Sequence, residues 1–148
     1  MLDIGFVKPN YPNEKRVAIL PSDIDANKSS IVFDEIKIED GFGSRMGIRN
    51  EEYEAVGCRI VCREMCFASS VVFCLKLIQP SDYHLVRHGA RIIGWIHPNG
   101  SGASFYKGFA KEKKLILVDL DSVNPRIYRW DGGCIDISVL PRHFFWEN

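Results

Sequence analysis

Two nitrogen-bearing side chains close two uncharged, apolar runs of the chain. Lys76 follows Val71-Val72-Phe73-Cys74-Leu75, and His97 follows Ile92-Ile93-Gly94-Trp95-Ile96. A lysine ammonium can polarise a carbonyl, and an imidazole can hold or move a proton near neutral pH. Arg16 stands just before a third apolar run, Val17-Ala18-Ile19-Leu20. A guanidinium grips a carboxylate through parallel hydrogen bonds. Converging Arg, Lys and His would suit a small substrate with a carboxylate beside a carbonyl that becomes an amine or an alcohol. Each residue also has a plain structural reading. A Lys at a strand end snorkels, and a His there can be hydrogen-bonded and inert. Asn99, Ser101, Asp119 and Tyr11 are further pocket candidates. Asp119 ends another apolar run, where its carboxylate could orient Arg16 or His97 or cap a turn.

These residues need elements to position them. Uncharged apolar runs of strand length read as strands buried on both faces of a parallel sheet. Open parallel sheets bind ligands in the crevice outside the carboxyl ends of their strands. Lys76 and His97 are therefore expected to share one crevice. Further strands are expected at 2–7, 29–33, 59–61, 71–77, 90–97 and 115–121. Helices are expected from Pro21, at 50–57 with Asn50 as cap, at 63–68, at 80–86, and from about 103 to 111. Gly41, Gly43 and Gly47 do not make G-x-G-x-x-G and read as a tight turn. After Ser122, Pro125, Gly132-Gly133 and Pro141 break the chain, so 125–148 is expected to be an irregular tail to a substrate domain at 1–124. The alternation predicts an α/β fold, three-layer, with a mostly parallel sheet flanked by helices. The two most apolar strands belong at the centre of that sheet.

Composition excludes several classes. The 148 residues are 46% hydrophobic and 26% charged, and Lys plus Arg equals Asp plus Glu at 19 each. Such a balance gives no electrostatic footprint for nucleic acid or an anionic membrane. No run of about 18 apolar residues occurs, and residues 1–20 lack the apolar segment of a signal peptide, so a cytoplasmic protein is expected. The five cysteines are an odd number, which argues against a disulfide framework. Cys58, Cys62 and Cys66 are spaced by four, unlike zinc ligands, and His84 with His88 lacks a third ligand, so no metal is expected.

At these same residues the chain resembles a known family. Ile4-Gly5-Phe6-Val7-Lys8, Asn13-Glu14-Lys15-Arg16-Val17-Ala18-Ile19-Leu20-Pro21, and 39–47 followed by Glu51-Glu52-Tyr53-Glu54-Ala55-Val56-Gly57 are similar to the alanine dehydrogenase and pyridine nucleotide transhydrogenase N-terminal domain family. The resemblance implies a Rossmann- or flavodoxin-like substrate domain. It also implies that Arg16 holds a substrate carboxylate while Lys76 and His97 carry the acid–base work. Leu75-Lys76-Leu77-Ile78-Gln79-Pro80-Ser81-Asp82-Tyr83, Ile93-Gly94-Trp95-Ile96-His97-Pro98-Asn99-Gly100-Ser101-Gly102 and Val118-Asp119-Leu120-Asp121-Ser122 look like its opine-forming branch. That branch implies reductive condensation of pyruvate with the side-chain amine of ornithine or lysine, using NADPH. The chain departs from the family pattern twice. Leu77-Ile78-Gln79-Pro80 replaces the Lys-Glu-Pro context of alanine dehydrogenases, and no strand–G-x-G-x-x-G–helix unit occurs. NADPH is therefore expected to bind a domain or partner chain outside these residues, and a homo-oligomer is the other expected assembly. A stand-alone non-catalytic module, or half of an alanine- or saccharopine-type dehydrogenase, are the alternative readings.

Overall fold

One sheet organises the computed structural model, which describes residues 1–121 and 126–136. Its strands are β1 (Asp3–Val7), β2 (Glu35–Glu39), β3 (Arg59–Val61), β4 (Val71–Cys74), β5 (Arg91–Gly94), β6 (Ile116–Asp119), β7 (Arg126–Arg129) and β8 (Cys134–Asp136). They lie in the order β3-β2-β1-β4-β5-β6-β7-β8. The first six are parallel, and β7 and β8 add antiparallel. The two most apolar strands, β4 and β5, sit in the middle, as their composition demands. Val72, Ile92 and Leu117 point to one face, and Val71, Ile93 and Val118 to the other, all buried. That is the period-two consequence of strand geometry.

Helices flank the sheet and complete the three-layer α/β architecture. They are α1 (Pro21–Ala26), α2 (Asn50–Glu54) and α3 (Arg63–Phe67). The last helix begins as α4 (Ala103–Phe105), passes through a π-helical turn at Tyr106–Ala110, and ends as α5 (Lys111–Lys113). From β1 the chain winds towards β3, and from β4 it winds the opposite way. The carboxyl ends of β1 and β4 thus flank the reversal of strand order where such sheets bind ligands.

The structure corrects several expectations. The second strand is β2, not 29–33, where Lys28–Ser30 forms a 3₁₀ turn. β2 reads Glu-Ile-Lys-Ile-Glu, and its charges disguise it. Lys37 Nζ meets Asp3 Oδ2 at 2.7 Å, and Glu39 Oε1 meets Arg63 at 2.6 Å. Paired charges are tolerated where single ones are not. Asn50 does not cap α2. It accepts from the Gly41 N–H at 3.0 Å and donates to Asp40 at 2.7 Å, tying down the glycine turn. The 80–86 segment is a 3₁₀ helix, Pro80–Leu85. β4 and β5 stop at Cys74 and Gly94, so Lys76 and His97 stand on the loops just past the strand ends. Residues 126–136, expected to be irregular, extend the sheet instead. Their pairing with β6, through Ile127 against Val118, is long-range information that a local reading of glycines misses. The rest of the expected tail, 122–125 and 137–148, lies outside the described residues.

Gly94 marks a close approach between central strands: a Cβ there would run into the Cys74 carbonyl of β4. Gly108, in the π turn, has open space around the same position. Gly94→Ala should therefore lower unfolding stability by about 1–3 kcal/mol, read from urea denaturation. Gly108→Ala should be neutral or stabilise by up to about 1 kcal/mol. Equal effects at both positions would refute the steric account.

Candidate functional site

The site grows from the carboxyl ends of the central strands. Pairing runs one residue past β4 and β5, with the Trp95 N–H on the Leu75 carbonyl at 3.3 Å. Lys76 and His97 follow this last rung on the two neighbouring loops, both half-buried. His97 adopts a left-handed backbone, φ +53°. Such φ values are uncommon outside glycine, although His tolerates them better than most residues. The surroundings over-determine it. The His97 carbonyl accepts from Gly100 N–H at 3.0 Å and Gly102 N–H at 2.8 Å. Gly102 has no room for a side chain, because a Cβ would strike the Ile96 carbonyl. Strained backbone held this firmly is typical of functional positions.

Asp119, buried at the end of β6, holds the same turn from the other side. Its Oδ1 accepts from the N–H groups of Ile96 at 3.1 Å, His97 at 3.3 Å and Asp121 at 3.3 Å. Of the roles open to Asp119 in the sequence, these bonds are those of a carboxylate capping the turn that carries the His97 backbone. The imidazole itself has a carboxylate partner: His97 Nδ1 lies 2.8 Å from Asp121 Oδ2. With Nδ1–H donating to Asp121, Nε2 is left as an acceptor. A cavity of about 300 Å³ adjoins the ring, lined by Asn99, Asp119, Asp121, Arg126 and Tyr128. Asn99 reaches the Tyr128 hydroxyl at 3.4 Å. Ser101 is exposed in the glycine turn and outside that lining.

Arg16 is placed by a residue that the motif search passed over. Glu14 is buried, 7% exposed, and takes the Arg16 guanidinium in a bidentate grip, with Nε and Nη2 both at 2.8 Å. It also accepts the Arg16 backbone N–H at 3.0 Å. The far edge of the guanidinium faces solvent. Hydrogen bonding to Arg16 holds the Glu14 carboxyl at about 2, well below the usual range, although burial opposes this; the nearby Lys76 ammonium adds to the lowering. Glu14 therefore links Arg16 and Lys76 into one electrostatic group. His97 stands next along the rim with its own pair, Asp119 and Asp121. Tyr11 is exposed in the loop before Glu14.

Glu14, Asp121, Arg126 and Tyr128 are site residues that the sequence reading missed. Glu14 and Asp121 carried one signal, an acid two residues from Arg16 and from Asp119. Arg126 and Tyr128 carried none, since only the β6–β7 pairing brings them near. Among the described residues no group of three metal-ligating side chains occurs. The cysteines are unpaired. Burial pushes Cys58 to about 11 and Cys66 and Cys74 to about 12, so these three stay protonated. No helix among the described residues is long and apolar enough to cross a membrane.

The doubly wound sheet is an α/β domain of the kind that binds ligands at its strand-order reversal. Its fold matches solved structures. A transhydrogenase from Sinorhizobium meliloti superposes with TM-score 0.67 at 24% identity, over 79% of this chain and 34% of its own. An L-alanine dehydrogenase superposes with TM-score 0.72 at 18% identity, over 83% of this chain and 33% of its own. Residues 5–129 match the model of the alanine dehydrogenase/PNT N-terminal domain, and the chain belongs to that family. Among curated relatives, an N(5)-(carboxyethyl)ornithine synthase of Lactococcus lactis subsp. lactis is 52% identical over 99% of this chain and 45% of its own length. One from Clostridium botulinum strain Hall is 42% identical over 99% of this chain and 45% of its own. The chain spans less than half the length of these relatives.

Glu14 and Asp3 both have carboxyls held at about 2, below their ordinary values. In Asp3, burial alone would raise the value, but hydrogen bonds from Lys37 and Ser70 outweigh it. Lowered carboxyls stabilise the fold fully above the unfolded-state range and lose that contribution as pH falls towards 2. Unfolding stability should therefore be level from pH 7 to about 5 and fall steadily from there to pH 2. Glu14→Gln should flatten that fall, as read by urea denaturation at each pH.

Proposed function

We propose that this chain is the substrate-binding half of an NADP-dependent, opine-type oxidoreductase. In this reading the complete enzyme condenses pyruvate reductively with the side-chain amine of ornithine or, alternatively, lysine. Its substrate domain includes β7 and β8 besides the residues before 124. The observation that supports the reading is the Glu14 clamp, which fixes Arg16 within electrostatic reach of Lys76, while the Asp121-held His97 follows the neighbouring strand. Support comes from the family and from relatives named N(5)-(carboxyethyl)ornithine synthase.

The roles follow from the groups. The solvent-facing edge of Arg16 takes the pyruvate carboxylate, since its other edge is already fixed on Glu14. Lys76 donates to the keto oxygen and polarises the carbonyl. The amine attacks the keto carbon, a C–N bond forms, and the nitrogen gives up a proton to His97 Nε2. With one proton transferred to the carbinol oxygen from Lys76 and the second returned from His97, it leaves as water when the C–O bond breaks, and the product is the protonated imine. Asp121 holds His97 in the tautomer this needs. Asn99 and Asp119 complete the pocket wall, and Ser101 stands at its edge.

The glycine turn of this chain does not fit a dinucleotide. The Gly41 N–H is already taken by Asn50, and Gly43 packs against Ile48. The reading therefore places NADPH in the part of the relatives' length that this chain does not span, and assigns it no residue here. The partner is then that second domain, carried in cis or on another chain, in the cytoplasm.

Pyruvate titrated into the isotopically labelled chain should shift the amides of Glu14, Arg16 and Lys76. Arg16→Lys removes the bidentate edge while keeping the charge, and should weaken pyruvate by about tenfold. Pyruvate binding that ignores Arg16→Lys would sink the proposal.

A further inference from the structure

A second cleft, of about 580 Å³, opens on the same carboxyl rim, at the ends of β1, β2 and β3. Its floor is the Arg63 guanidinium. Nε and Nη2 reach the two oxygens of Asp82 at 3.1 and 2.7 Å. Nη1 reaches Glu39 Oε1 at 2.6 Å and the Lys8 carbonyl at 2.9 Å. Burial alone would discharge Arg63, but these two carboxylates hold its pKa above the ordinary value. The floor is thus a rigid, hydrogen-bonded ion cluster.

The mouth has a different character, because it carries both signs of charge. Lys8 Nζ lies above Gly41, 3.8 Å from Glu39. Asp40 is exposed and is steadied by Asn50 at 2.7 Å. Arg45 lines the cleft and donates from Nη1 to the Glu14 carbonyl at 2.6 Å. That bond makes the cleft contiguous with the Glu14–Arg16 clamp. Cations beside a carboxylate are complementary to a zwitterion, with the ligand carboxylate against Lys8 and Arg45 and its ammonium against Asp40. The cavity beside His97 is smaller, about 300 Å³. Its carboxylates are already engaged, Asp119 on backbone N–H groups and Asp121 on His97.

We infer that the Lys8–Asp40–Arg45 cleft binds the α-amino-acid head of the amine donor, so that the donor's side-chain amine extends past Arg45 towards Lys76 and His97. This rests on the reading given under Proposed function and deepens it: the cleft selects diamines that carry an α-carboxylate over simple diamines.

The test is a two-dimensional NMR titration of the labelled chain with L-ornithine, putrescine and pyruvate in separate samples. L-Ornithine should shift the amides of Lys8, Gly41 and Arg45. Putrescine, which lacks the carboxylate, should bind about tenfold more weakly or less. Asp40→Asn should weaken L-ornithine about fivefold and leave the pyruvate shifts at Arg16 in place. Equal binding of putrescine and L-ornithine would overturn the inference, and so would shifts confined to Asn99, Asp121 and Tyr128. Pyruvate binding without any L-ornithine binding overturns the cleft alone. L-Ornithine in the cleft without pyruvate binding keeps the cleft and removes the wider reading. If Asp40→Asn fails to fold, the ligand comparison on the parent chain still decides.

Discussion

The contact between β4 and β5 is the constraint on which the rest depends. Gly94 lies against the Cys74 carbonyl, and the ladder continues to Trp95 on Leu75. Because those strands are parallel and in register, whatever follows them is delivered to one rim at one height. Lys76 and His97 both follow the carboxyl ends of these two neighbouring strands because of that register. Shifting either strand by one residue would exchange its faces and send the core residues outward. Packing and chemistry are thus set by the same few backbone atoms.

Around that rung the protein spends acidic residues on position. Glu14 fixes Arg16, Asp119 fixes the His97 backbone, and Asp121 fixes the His97 ring. Cationic or titratable side chains in one region would repel one another and swing freely. Arg16 and His97 are instead each tethered to a carboxylate that limits both effects, and Lys76 lies within electrostatic reach of Glu14. The same device recurs at Arg63 with Glu39 and Asp82, and at Lys37 with Asp3.

The resemblance drawn from Arg16, Lys76 and the Trp95–Gly102 stretch pointed to the family that the comparisons show. An α/β domain with a mostly parallel sheet was equally legible, because β1, β4, β5 and β6 are local apolar runs. β2 was not legible, since Lys37 and Glu39 break its run and only Asp3 and Arg63, far along the chain, make them acceptable. β7 escaped for a related reason: its signal is the partner strand β6, not its own composition.

What the sequence by itself determined is which candidate groups stand at strand ends, and which apolar runs form those strands. Residue type and the period of burial are local properties, and they are written in consecutive letters. What the tertiary structure alone decided is who holds those groups. Glu14 as the clamp of Arg16, Asp119 as the anchor of the His97 turn, and the Lys8–Asp40–Arg45 cleft all depend on side chains brought together from different strands. Hydrogen-bond partners across a sheet are chosen by register and loop path, which no short window of sequence contains. The left-handed backbone of His97 belongs to the same class, because only its neighbours in space make it affordable.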